Sequence, residues 1–149
     1  MFDFTGKKVL VAGGTGLIGI PLVELLLKEG ARVYIVSRDN PNRVPLHSTW
    51  RDLDLLDYKN CLTACCDMDY VFNLLCVKGS PVWMRDNPET AFRHNLLLDV
   101  NMLGAAAECG VGGVLLASSL AVYPPANLFC EDDVWKGNPS PNDWYGGWA

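Results

Sequence analysis

A doubly wound, parallel α/β sheet is the fold class this sequence predicts, and three observations predict it. Short apolar runs alternate with longer stretches of helical periodicity. The first apolar run opens through a cluster of glycines straight into the first helical stripe. Half of the 149 residues are hydrophobic and 19% are charged, enough for one folded domain over residues 1–149 with a sizeable core.

Each element has its own signal. Val9 to Ala12 is a short apolar run that ends in glycine, a buried strand. Leu17 to Glu29 carries a helical stripe of Ile18, Leu22, Leu25 and Leu26, closed by Gly30. Pro21 belongs in the first turn of that helix, which places its start at Leu17 or Ile18. Arg32 to Val36, rich in β-branched residues, is the second strand. A third strand falls near Thr49 to Leu53, with a helix over Tyr58 to Cys66. Tyr70 to Cys76 is the fourth strand, Pro88 to Cys109 a long helix opened by proline, and Gly113 to Ala117 the fifth strand. From Ser119 to Trp144 the chain reads as loop. Strands in this order form a parallel sheet with helices on both faces and right-handed crossovers.

A formal charge of −5 argues against a nucleic-acid surface. No run approaches the ~18 apolar residues of a membrane span, and no signal-peptide core precedes the first strand. The six cysteines lack paired metal-ligand spacing and have only His47 and His94 for company, so no metal site is expected. They read instead as reduced, mostly core cysteines of a cytoplasmic protein.

Gly13, Gly16 and Gly19 stand at G-x-x-G-x-x-G spacing within Gly13-Gly14-Thr15-Gly16-Leu17-Ile18-Gly19. The amides and dipole at a helix N-terminus hold anions, so this loop suits the pyrophosphate of a dinucleotide. The first glycine permits the turn, the second the approach of backbone to phosphate, and the third close helix–strand packing. An acidic residue about 20 positions on would select NAD. Ser37 stands there instead, eighteen residues past Gly19, followed by Arg38. These two suit a 2′-phosphate, so NADP is favoured, with Asp39 one place further keeping NAD as the alternative.

With these motifs the chain resembles the extended short-chain dehydrogenase/reductase family, in its NAD-dependent epimerase/dehydratase branch that acts on nucleotide sugars. The resemblance covers essentially all 149 residues. It implies an incomplete Rossmann-like fold that lacks the carboxy-terminal substrate domain. It implies cofactor contacts at Gly13, Gly16, Leu17, Ile18 and Gly19, and adenine contacts at Asp54 and Leu55. Leu74, Leu75 and Cys76 would run along the ribose and nicotinamide. Asn95 and Asn101 match two asparagines six apart on the long helix, Asn95 as a cofactor contact, although Leu98 and Asp99 replace the Gly-Thr usual between them.

The same resemblance makes Ser119 the catalytic serine and Tyr145 the acid/base. Here the chain departs from the pattern. Four residues after Tyr145 stands Ala149 where the family has lysine, and Trp148-Ala149 looks like the pair that precedes that lysine. On that second alignment Gly146 holds the tyrosine's place. Lys78 in the loop after the fourth strand reads as a solvated lysine or a substrate contact. Trp135, Trp144 and Trp148 read as core cover or a stacking surface.

The expected activity is hydride transfer on a nucleotide sugar in a longer form, with this chain as the cofactor-binding part. Alone it should bind cofactor weakly and turn over nothing. The competing class is a non-catalytic cofactor-binding or scaffold module. Exposed Trp and Leu surface makes a homo-oligomer the expected state.

Overall fold

The computed structural model describes residues 3–39, 41–77 and 79–139. They group into two compact units, residues 1–75 with 98–117, and residues 76–97 with 118–149. Among the described residues nine strands and α-helices carry the fold: β1 (Lys8–Ala12), α1 (Gly19–Lys28), β2 (Arg32–Val36), β3 (Thr49–Arg51), α2 (Tyr58–Cys65), β4 (Tyr70–Asn73), α3 (Pro81–Asp86), α4 (Pro88–Glu108) and β5 (Gly113–Leu116).

All five strands lie in the first unit and pair in parallel, in the order β3-β2-β1-β4-β5. The order reverses at β1, so β2 and β4 flank it, and in such sheets ligands bind outside the carboxyl ends of the strands at this point. Val9, Leu10, Val11 and Ala12 are all buried, as a central parallel strand requires. On one face Val9, Val11, Val33 and Ile35 pack with Val23 and Leu26 of α1.

Helix α1 starts at Gly19, later than Leu17 or Ile18, and its buried stripe is Gly19, Val23 and Leu26. Gly19 fixes this rotation. It lies so close to the carbonyl of Gly13 that its face must point inward, and positions four and seven residues on follow it. The expected stripe is therefore offset by one residue. Ile18 and Leu25 are exposed, while Leu22 and Leu25 line an apolar groove of about 720 Å³ beside Phe72, Val114 and Leu115. Gly30, at φ +81°, closes the helix as the sequence requires.

Helices α2 and α4 bury Cys61, Ala64, Cys65, Met102, Ala105 and Ala106. They are tied by the Tyr58 hydroxyl, which donates to Glu108 at 2.8 Å, and by a disulfide between Cys66 and Cys109. The disulfide corrects the expectation that all six cysteines are reduced. The two helices end side by side with Cα atoms 4.9 Å apart, a proximity that a sequence separation of 43 conceals. Burial pushes the Cys61 and Cys65 thiols up to about 12 and about 11.

Two further differences concern lengths. Strand β4 stops at Asn73, short of Cys76, because β1 ends at Ala12 and only one more bond, Leu74 N–H to the Ala12 carbonyl, follows. In the second unit, Ser80 and Pro81 begin a helix, α3, where the sequence reads as loop: the Ser80 hydroxyl accepts the Trp83 N–H at 3.1 Å. Two 3₁₀ turns, Leu120–Val122 and Glu131–Trp135, interrupt the segment after β5.

Candidate functional site

The loop from Gly13 to Gly19 joins β1 to α1 at the carboxyl edge of the sheet. Its start is bonded to β2, the Gly13 N–H donating to the Val36 carbonyl at 2.8 Å. Gly13 has φ +84°, a conformation that only glycine adopts freely, and a Cβ there would sit 3.2 Å from the Leu74 carbonyl oxygen. The Gly16 N–H returns to the Gly13 carbonyl at 3.0 Å, which closes the turn. At Gly19 a Cβ would lie 2.3 Å from the Gly13 oxygen and 2.7 Å from the Gly14 Cα, so no side chain fits. Leu17 and Ile18 stand exposed on the outer side of the loop.

At the end of β2 the two residues expected to choose the cofactor behave differently. Ser37 is 6% exposed; its Oγ lies 2.6 Å from the Oγ1 of Thr15 and accepts the Asp39 N–H at 3.1 Å. Arg38 is exposed and pairs with Asp54, Nη1 to Oδ2 at 2.8 Å. Two expected contacts from separate stretches, Arg38 and Asp54, are thus brought together. Leu55 stands beside Asp54. Its side chain is buried in the core, and its carbonyl already accepts from Cys61 Sγ and Asn101 Nδ2.

Past β4, Leu74 and Leu75 lie against Gly13, whereas Cys76 belongs to the second unit and is exposed. In that unit the Asn95 amide is engaged by main chain: its Oδ1 accepts the Val77 N–H at 2.7 Å and its Nδ2 donates to the Val77 carbonyl at 3.3 Å. Asn95 thus clamps the segment after β4. Asn101 does the same in the first unit, donating to the Leu56 carbonyl at 3.0 Å.

Sequence reasoning missed one polar pair. Asn73, 1% exposed at the end of β4, donates to the Asp99 carboxylate at 2.9 Å. Burial pushes the Asp99 carboxyl above the ordinary range, and the Asn73 bond only partly offsets it. The available signal was an asparagine within the apolar run Val71-Phe72-Asn73-Leu74-Leu75.

Ser119 lies in the second unit, exposed, and its Oγ accepts the Ala121 N–H at 3.2 Å as the cap of a 3₁₀ turn. Trp135 is exposed. Tyr145, Gly146, Trp144, Trp148 and Lys78 lie outside the described residues. Among the described residues no group of three or more His, Cys, Asp or Glu side chains could hold a metal ion, and no helix is long and apolar enough to cross a membrane.

A parallel sheet whose order reverses at β1, with a glycine loop at that strand's carboxyl end, defines a Rossmann-like α/β protein. The chain belongs to the NAD dependent epimerase/dehydratase family, whose model matches residues 9–147. UDP-glucuronic acid decarboxylase 5 of Arabidopsis thaliana is 27% identical over 147 residues, 94% of this chain and 42% of that protein. Among solved structures, the NAD complex of Thermus thermophilus UDP-glucose 4-epimerase superposes with a TM-score of 0.76 at 27% identity, over 94% of this chain and 47% of that one. The epimerase Mth375 of Methanothermobacter thermautotrophicus gives 0.75 at 30% identity, over 87% and 41%. The chain spans less than half the length of these relatives.

Proposed function

We propose that this chain is the dinucleotide-binding part of an enzyme that acts on a nucleotide sugar by hydride transfer. One observation carries the reading: at Gly13 and Gly19 a side chain would meet backbone at 3.2 and 2.3 Å, so the loop is built for close approach. The loop leads into α1, whose N-terminal amides favour an anion. A nicotinamide dinucleotide, when bound, would accept a hydride from the sugar and return it. The names of the relatives, which act on UDP sugars, support the substrate class.

Gly13, Gly16 and Gly19 would hold the pyrophosphate, with Leu17 and Ile18 flanking it. Arg38 would meet an adenosine 2′-phosphate, which favours NADP, although the phosphate must then compete with Asp54 for the guanidinium. The NAD complex of the Thermus relative favours NAD as the second reading. Ser119 would donate its hydroxyl proton to the sugar oxygen, and Tyr145 would move the proton. A cytoplasmic setting is part of this proposal.

Calorimetric titration of the 149-residue chain with NADP and NAD separately tests the reading. Weak binding of both, tighter for NADP, is the expected result. Tighter NAD binding removes the argument from Arg38, and no binding of either removes the dinucleotide. The non-catalytic module gains from Ala149 standing where the family has lysine. Hydride transfer to NADP or NAD by a longer form carrying this segment would exclude it.

A further inference from the structure

We propose that Ser37 is a positioning residue whose buried bond to Thr15 locks the glycine loop onto the end of β2. This rests on the dinucleotide reading above and changes what Ser37 does within it. Two hydroxyls from residues 22 apart meet at 2.6 Å, with Thr15 1% and Ser37 6% exposed. The Ser37 oxygen also accepts the Asp39 N–H. A hydroxyl has one proton and two lone pairs, so little of its capacity remains for a ribose. Two of those three sites are taken whichever hydroxyl donates, and a ligand that displaced Thr15 would leave a buried hydroxyl unpaired, which is costly.

The lock complements a main-chain attachment two residues earlier. Gly13 is bonded to the Val36 carbonyl, and Thr15 to the next residue of the same strand end. One attachment fixes the loop's distance from β2; the second also fixes its rotation. That rotation decides whether the amides at the start of α1 point toward a common anion. Thr15 is β-branched and stiff about χ1, so holding its hydroxyl in place costs little entropy. Arg38, exposed and adjacent, is left to discriminate between ribose substituents.

The test uses Ser37→Ala, Thr15→Val and the double variant in the full chain. Each single change strands one buried hydroxyl, so each lowers the thermal midpoint. Each also weakens NAD and NADP by the same factor, about 5- to 30-fold, the equivalent of one lost buried bond. In the double variant both hydroxyls are gone, and the midpoint returns part of the way to wild type, since the Asp39 N–H has lost its Ser37 acceptor, while affinity for both dinucleotides stays low. Thr15→Ser, which keeps the hydroxyl, keeps affinity. A shift in the NADP-to-NAD ratio in Ser37→Ala would overturn the proposal, because Ser37 would then touch the ribose substituent. Wild-type affinity in the double variant would overturn it too. If the wild-type chain binds neither dinucleotide, the dinucleotide reading has failed and the lock is read without ligand. Hydrogen exchange at the Gly13–Gly19 amides should then be faster in the double variant at equal thermal midpoint, and unchanged exchange overturns the lock.

Discussion

Strands β1 and β5 are close to interchangeable as sequences: Val9-Leu10-Val11-Ala12 against Val114-Leu115-Leu116-Ala117. In the structure they are opposites. Val9 to Ala12 are at most 1% exposed, whereas Val114, Leu115 and Leu116 are 38%, 48% and 38% exposed. The difference lies in neighbours. β1 has a strand on each side and α1 across its face, while among the described residues β5 pairs with β4 alone. An apolar run thus specifies a strand, and the sheet order specifies whether it is buried. The glycine loop grows from the buried strand, where tight surroundings hold it; Ser119 follows the exposed one.

The largest effect should come from the buried corner. Gly19→Ala places a methyl group 2.3 Å from a backbone oxygen, and neither that oxygen nor the Gly14 Cα can yield by a rotamer change. Overpacking usually costs 1–3 kcal/mol, and a clash with main chain belongs beyond that, at about 4 kcal/mol. Urea unfolding measures it, and a cost under about 1 kcal/mol would mean the loop is looser than this geometry. The second effect is covalent. Reducing Cys66–Cys109 opens a link between residues 43 apart, worth roughly 2–4 kcal/mol. The thermal midpoint should fall on adding a dithiol reductant, and Cys66→Ser with Cys109→Ser should abolish that response.

How much of this was legible in sequence follows the distance between the residues involved. The glycine loop is written in seven consecutive residues, and the turn at Gly13 and the close packing at Gly19 are as expected. The five strands and three of the helices are local patterns too. α3 was missed because six residues are too few to show periodicity, although Ser80-Pro81 is a start signal. The Arg38–Asp54 and Thr15–Ser37 bonds join stretches 16 and 22 residues apart, and nothing local marks them. The same holds for Asn95, whose amide is committed to Val77, and for Cys66, whose partner lies on another helix. The cysteines read as mostly core residues, but only Cys61 and Cys65 are buried, and which of the six pair depends on where two helices end.

A smaller effect should appear at Asp99, beneath the carboxyl end of β4. Its folded-state pKa is raised by burial, so the protonated form is the better fit to the fold. The stability this gives is fully present below the ordinary carboxylate value and is lost as pH rises through the folded-state value. Asp99→Asn keeps an acceptor for the Asn73 amide and removes the buried charge. The variant should therefore gain on wild type, by about 1 kcal/mol or less, as pH rises above 4, and the gap should close in more acid solution. Thermal midpoints of both chains across pH 4–8 check it. A gap constant with pH would show that Asp99 is not the titrating group.

The smallest effect on stability should come from the exposed strand. Leu115→Ser removes a half-exposed side chain at the sheet edge, where truncation leaves little cavity, so unfolding should change by no more than about 0.5 kcal/mol. In β1 the loss of an equally large buried side chain, as in Leu10→Ala, would cost several times more. Yet Leu115 should matter for association. It adjoins Val114 and Leu116 on β5 and lines the apolar groove with Leu22 and Leu25, a surface that self-association would cover. Light scattering of wild type and Leu115→Ser at matched concentration should show a larger species only for wild type. Equal, monomeric masses would leave the contrast between the strands intact but show that an exposed apolar edge alone does not drive this chain to pair.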